Sequence, residues 1–219
     1  MKIRIGVLLS GCGALDGSGL HEAVFTLLAL DRVNAEAICT ALRDRQHHVL
    51  NHLNQEVMDE SRSMLVESAR ISMGNITAME ALETADLDGV IIPGGYGTVK
   101  SLCDFALAGP CTNVHPVIQQ TLEAFLTARK PIGAMGIASV LLVGALGNHH
   151  ISVTIGKDTG IASAIKTMGG VHCPCSGDEI HVDNRHKIVT TPAFMIDNGP
   201  KGVFTGIERL VHKVVELTR

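Results

Sequence analysis

Three glycine-rich segments and one cysteine pair hold the residues whose types and spacing could do chemistry. The segment Lys130-Pro131-Ile132-Gly133-Ala134-Met135-Gly136-Ile137-Ala138-Ser139 reads as a buried strand, a sharp turn and the start of a helix. Such an elbow presents one side chain at the carboxyl end of a sheet, where a nucleophile can attack a carbonyl carbon. Here that position is Gly136, which has no side chain to present.

The second segment runs Ser10-Gly11-Cys12-Gly13-Ala14-Leu15-Asp16-Gly17-Ser18-Gly19 and enters a helix at His21-Glu22. Gly11 and Gly13 permit close backbone approach to a ligand. The third glycine of a dinucleotide fingerprint would fall on Asp16, which argues against a nicotinamide cofactor. Cys12 is either a small buried hydrophobe or a thiol made reactive by the nearby helix amino terminus. Glu22 either complements the helix dipole or projects into the crevice as an acid or base. In the third segment, Pro93-Gly94-Gly95, the backbone amides could hold an oxyanion or carboxylate, or the glycines could simply end a strand.

His172-Cys173-Pro174-Cys175 looks like a metal fragment. Structural zinc sites pair two such fragments at C-x₂₋₄-C spacing, and that pattern is missing, so no metal is expected. His47-His48 and His149-His150 read as solvated loop histidines. No His-x-Glu follows the elbow, so a glutaminase triad lacks its base and acid.

The elements that must position these groups alternate. Strands are expected at Ile3–Leu9, Glu36–Ala41, Gly89–Ile92 and Pro131–Ala134, and helices at His21–Leu30, Ser61–Ile71 and His115–Ala128. Later come strands at Ser152–Ile155, Glu179–Val182 and Lys187–Thr191, a turn at Asp183-Asn184-Arg185, and a closing helix at Gly202–Leu217. This alternation predicts an α/β fold with a mainly parallel sheet and helices on both faces. Ligands in such sheets bind beyond the strands' carboxyl ends, where all three glycine segments fall.

Bulk properties agree. The chain has 219 residues, 46% of them hydrophobic, with no internal repeat or Pro/Ser linker, which suits a single domain over residues 1–219. A formal charge of −4 and the lack of a basic run argue against nucleic acid. No apolar run reaches membrane-spanning length, and the apolar start is too short and too interrupted by Arg4 for a signal peptide. The expectation is a cytoplasmic protein, or an organellar one if a transit peptide is missing here, with six reduced cysteines.

Ser10-Gly11-Cys12-Gly13, Asp16-Gly17-Ser18, His21-Glu22-Ala23, Pro93-Gly94-Gly95 and Thr190-Thr191-Pro192-Ala193 together resemble the ElbB family, also called enhancing lycopene biosynthesis or sigma cross-reacting proteins. The family belongs to the PfpI and deglycase superfamily with a class I glutamine amidotransferase-like fold. The resemblance spans nearly the whole chain. It implies a flavodoxin-like three-layer sandwich, often dimeric, and a cofactor-independent glyoxalase-type activity on small dicarbonyls. It also links the chain by family name to isoprenoid biosynthesis. It maps the superfamily's glutamate from the first helix onto Glu22, oxyanion amides onto Gly94 or Gly95 and onto Ile137, and the nucleophilic cysteine onto Gly136. Where that family's elbow reads roughly Cys-Ile-Ala-Pro, this chain has Gly136-Ile137-Ala138-Ser139, so both the nucleophile and the proline depart.

Two readings follow. A small-molecule-binding or regulatory protein would keep the pocket for a carbonyl or carboxylate ligand without the thiol chemistry. An active glyoxalase-like enzyme acting on small dicarbonyls would use Cys12 with Glu22, or a non-covalent route through Glu22, instead. A glutaminase subunit lacks both thiol and triad.

Overall fold

The computed structural model describes residues 2–196 and 199–219. In chain order the elements are β1 (Arg4–Leu9), α1 (Leu20–Arg32), β2 (Glu36–Ala41), β3 (Val49–Leu50), β4 (Val57–Met58), α2 (Met64–Ile71), β5 (Thr77–Ala78), β6 (Gly89–Ile92), α3 (Thr98–Ser101), α4 (Phe105–Ala108), α5 (Pro116–Thr127), β7 (Ile132–Met135), α6 (Ala138–Leu146), β8 (Ser152–Val153), α7 (Thr159–Thr167), β9 (Val171–His172), β10 (His181–Asp183), β11 (Ile188–Thr191) and α8 (Gly199–Leu217).

Seven strands form the central sheet in the order β10-β11-β7-β6-β1-β2-β5. Every pairing in it is parallel except β10 with β11 at one edge. This is the mainly parallel sheet that the alternation predicts, in the flavodoxin-like arrangement that the family resemblance implies. Period-two side-chain alternation sends each strand's apolar residues to both faces. Val7, Ile91, Met135 and Val189 face a core completed by α1 and α8, through residues such as Ala29, Leu30, Ile207 and Leu210. Leu8, Val90, Ile92, Ile132 and Ala134 face a second core built with Ile118, Leu122 and Phe125 of α5 and most of α6. Helix α6 is buried almost throughout, which explains why its sequence shows no polar stripe.

Several boundaries differ from the sequence-based expectation. The helix expected from Ser61 begins at Met64, because Ser63 caps it by accepting a hydrogen bond from the Val66 amide. The strand expected at Glu179–Val182 is His181–Asp183, and Ser152–Ile155 pairs only over Ser152–Val153, with β9 outside the main sheet. Helix α7 was not expected: Gly160 and its polar residues weaken the apolar pattern, and the cap is Asp158, whose carboxylate accepts from the Ile161 amide at 2.9 Å.

Candidate functional site

Strand β7 delivers Gly136 to the carboxyl end of the sheet with φ +55°, a conformation that residues bearing a Cβ adopt at a cost. Backbone hydrogen bonds hold the turn. The Gly136 amide donates to the Thr191 carbonyl at 2.9 Å, and the Ser139 amide donates back to the Gly136 carbonyl at 3.2 Å as α6 begins. The strained elbow expected from the sequence is therefore present, with hydrogen where the side chain would start. Ser139, where the resemblance led to the expectation of a proline, is fully buried, and its hydroxyl meets no hydrogen-bond partner among the described residues.

Glu22 enters from the first turn of α1. The amide of Gly19 before it donates to the Gly94 carbonyl at 2.8 Å, which ties the helix start to the loop after β6. The Glu22 side chain is only 4% exposed, and its carboxyl group points at three glycines. A Cβ on Gly136 would lie 2.9 Å from Glu22 Oε1, and one on Gly94 2.6 Å from the same atom. A Cβ on Gly19 would collide with Glu22 Oε2. The structure thus brings Glu22, Gly94 and Gly136 together. Burial pushes the Glu22 carboxyl up from 4.5 to about 8, outweighing the helix dipole, which favours the anion. At neutral pH the group is mainly a neutral acid that can donate a hydrogen bond.

A cavity of about 430 Å³ opens over this corner. Its floor includes Glu22, Gly95, Gly136 and Ile137, and its walls include Leu15, Leu20, Tyr96, Ile161, Phe194 and Met195. Among the described residues, neither the Gly95 amide nor the Ile137 amide donates to another protein group, so both are available to a ligand oxygen. His21 sits exposed at the rim, its ring 5.7 Å from that of Phe194. No Lys, Arg or Asp is among the described lining residues.

Other sequence candidates lie elsewhere. Cys12 does not line the cavity; it is half-buried beside the α1–α8 core. Burial pushes its thiol pKa up, Glu67 and Asp16 push the same way, and Arg70 only opposes them, which is the reverse of activation. Gly11 and Gly13 have their amides engaged inside the protein, by the Ser68 hydroxyl and the Ser18 carbonyl, and so are not ligand-binding donors here. His48 is not simply solvated: its Nε2 lies 3.0 Å from Lys100 Nζ. Among the described residues no group of three or more His, Cys, Asp or Glu is placed to hold a metal ion. Cys175, from the His172–Cys175 fragment, donates instead to Thr154 Oγ1 at 3.4 Å.

Sequence reasoning missed the wall residues Phe194, Met195 and Ile161. The signal closest to them was the Thr190–Ala193 segment. Ala193 has φ +47°, and this kink turns the chain so that Phe194 and Met195 reach the cavity.

Comparison with known proteins gives the following. No family model matches the chain. It is similar to a protein of Homo sapiens named glutamine amidotransferase-like class 1 domain-containing protein 3, mitochondrial, at 40% identity over 98% of this chain and 83% of that one. It is also similar to the mitochondrial ES1 protein homolog of Rattus norvegicus, at 39% identity over 99% of this chain and 85% of that one. A crystal structure of an isoprenoid biosynthesis protein with an amidotransferase-like domain from Ehrlichia chaffeensis superimposes with a TM-score of 0.93 at 33% identity, covering 99% of this chain and 100% of that one. A DJ-1 superfamily protein from Salmonella typhimurium shares the fold with a TM-score of 0.58 at 20% identity. Both curated relatives are named mitochondrial, which overturns the cytoplasmic location expected from the sequence.

Proposed function

The chain belongs to the ElbB and ES1 family of amidotransferase-like proteins, related to the DJ-1 and PfpI superfamily, and from that premise we propose that it binds a small carbonyl or carboxylate ligand without the thiol chemistry of an elbow cysteine. One observation carries this reading: the elbow points at Glu22 with φ +55° and ends in hydrogen. A glyoxalase-type step needs a thiolate to form a C–S bond to an aldehyde carbon, giving a hemithioacetal. Gly136 supplies no sulfur, and Cys12 stands outside the cavity with its thiol held protonated. Removing a nucleophile leaves at most the residual rate that binding and oxyanion donors provide. The chain's role is then that of a ligand-binding or regulatory protein, working as the homodimer that the family resemblance implies.

A second reading has support from one observation. A carboxyl group with a pKa of about 8 suits proton transfer near neutral pH, so Glu22 could act by itself on a bound carbonyl compound. Hydroxy-acid formation from glyoxal and methylglyoxal separates the two. The proposal expects background rates for the wild type and for Cys12→Ser, and a gain for Gly136→Cys. Wild-type turnover abolished by Glu22→Gln would establish the second reading instead. Sedimentation velocity tests the homodimer; a monomer at micromolar concentration would refute it.

A further inference from the structure

The cavity is much larger than a two- or three-carbon dicarbonyl requires. At about 430 Å³ it falls in the range of roughly 300–1,000 Å³ typical of pockets that enclose drug-sized ligands. Its walls are apolar side chains: Leu15, Leu20, Ile161, Phe194, Met195 and the ring of Tyr96. At the far end one carboxyl group is nine-tenths and more buried, with the Gly95 and Ile137 amides beside it. Among the described residues no hydrogen-bond donor of the protein shifts that carboxyl, and it lines the cavity, so its proton can be offered to a ligand oxygen there.

Charge sets the second constraint. An anion buried without a cation is strongly disfavoured. The described lining offers no Lys or Arg, and His21 stands exposed at the rim. Lys100, beside the wall residues Leu15 and Tyr96, is already engaged: its Nζ donates to the Leu15 carbonyl at 2.9 Å and sits 4.8 Å over the Tyr96 ring. No charged side chain shifts Glu22; burial alone does.

We propose that this cavity takes a neutral ketone or aldehyde with an apolar body, its carbonyl oxygen accepting from Glu22 and its body lying along Ile161, Phe194 and Met195, and that it rejects the carboxylate of the same size. This narrows the ligand-binding reading above to its carbonyl half and rests on it. The missing side chain at Gly136 leaves room for the carbonyl carbon without a sulfur to capture it, so binding is reversible and the ligand leaves unchanged. Glu22 must hold its proton for the hydrogen bond to form.

A matched pair of ligands tests this on the wild-type protein. Isothermal titration with 2-heptanone and with heptanoate reads affinity directly. Tyr96 is the only tyrosine of a chain without tryptophan, so its fluorescence reports occupancy of this cavity alone. At pH 6 the ketone is expected to bind at least about ten-fold more tightly than the carboxylate. Between pH 6 and pH 9 the ketone's affinity should fall about ten-fold, following the protonated fraction of Glu22. In Glu22→Gln, whose amide does not ionise, the ketone's affinity should no longer change between pH 6 and pH 9. Equal or tighter heptanoate binding overturns the proposal. So does ketone affinity that is flat from pH 6 to pH 9 in the wild type, or no ketone binding at pH 6. Methylglyoxal turnover by a wild type that also binds heptanone would overturn the impaired-catalysis reading and leave this one standing.

Discussion

Replacing Glu22 with Gln should stabilise the protein, and the gain should grow with pH. The Glu22 carboxyl is 4% exposed, and burial pushes it from 4.5 up to about 8. The unfolded chain releases this proton near the ordinary glutamate value. Between about pH 4.5 and pH 8 the folded state therefore binds more protons at this site than the unfolded state does. Stability from this group is complete below 4.5 and declines as pH rises through the window. At about 1.4 kcal/mol per pH unit, the whole window is worth about 5 kcal/mol, and about 3 kcal/mol of that is already lost at pH 7. Gln has nearly the same shape and no charge to desolvate. Urea unfolding of both proteins, followed by circular dichroism from pH 4.5 to pH 9, isolates the effect, because every other titrating group cancels in the difference. The difference should be smallest at pH 4.5, climb by about 1.4 kcal/mol per pH unit, and level off above pH 8. A difference that stays constant from pH 5 to pH 8 would refute the claim that Glu22 is a buried neutral acid.

Two further outcomes follow from the same corner. Gly136→Ala places a Cβ at φ +55° and 2.9 Å from Glu22 Oε1, so it should cost about 1–2 kcal/mol in urea unfolding at pH 6; a variant as stable as the wild type would show that the elbow relaxes. Cys12 should alkylate with iodoacetamide more slowly at pH 7.5 than the exposed Cys111, because burial, Glu67 and Asp16 all keep its proton on; peptide mapping that finds Cys12 modified first would return it to the list of reactive thiols.

Much of the scaffold was legible because its strands advertise themselves. Gly89–Ile92 is a short apolar run that a Pro-Gly-Gly turn must end, and it is β6 as read. Glu36–Ala41 is β2 with the same bounds. The late strands were blurred because β8 and β9 are two-residue ladders whose pairing depends on a chain crossing that no local pattern encodes. The site was legible in composition and not in direction. Glu22 and Gly136 are 114 positions apart, and the resemblance paired them before any distance could. Cys12 sits among the same glycines as the residues that do meet, but its loop bends through Gly11 and Gly13 at φ +106° and +146°. Backbone in those regions sets which way the next side chain points, and residue types alone do not specify it. The apolar wall was missed for a similar reason: Phe194 reads as an ordinary exposed aromatic until the strained Ala193 aims it.

The hydrogen bonds that hold the elbow carry a consequence for how this family can change over time. Thr191 and Ser139 keep the turn in shape through hydrogen bonds to the backbone of Gly136, with no help from a side chain at its apex. A cysteine there has to sit in a left-handed conformation and crowd a buried acid; a glycine does neither. Discarding the reactive group is then a step downhill for folding, while regaining it is a step uphill. A lineage whose reaction is no longer under selection would drift toward glycine at this apex and hold there, with the chamber intact around it, because stability no longer opposes activity at that position.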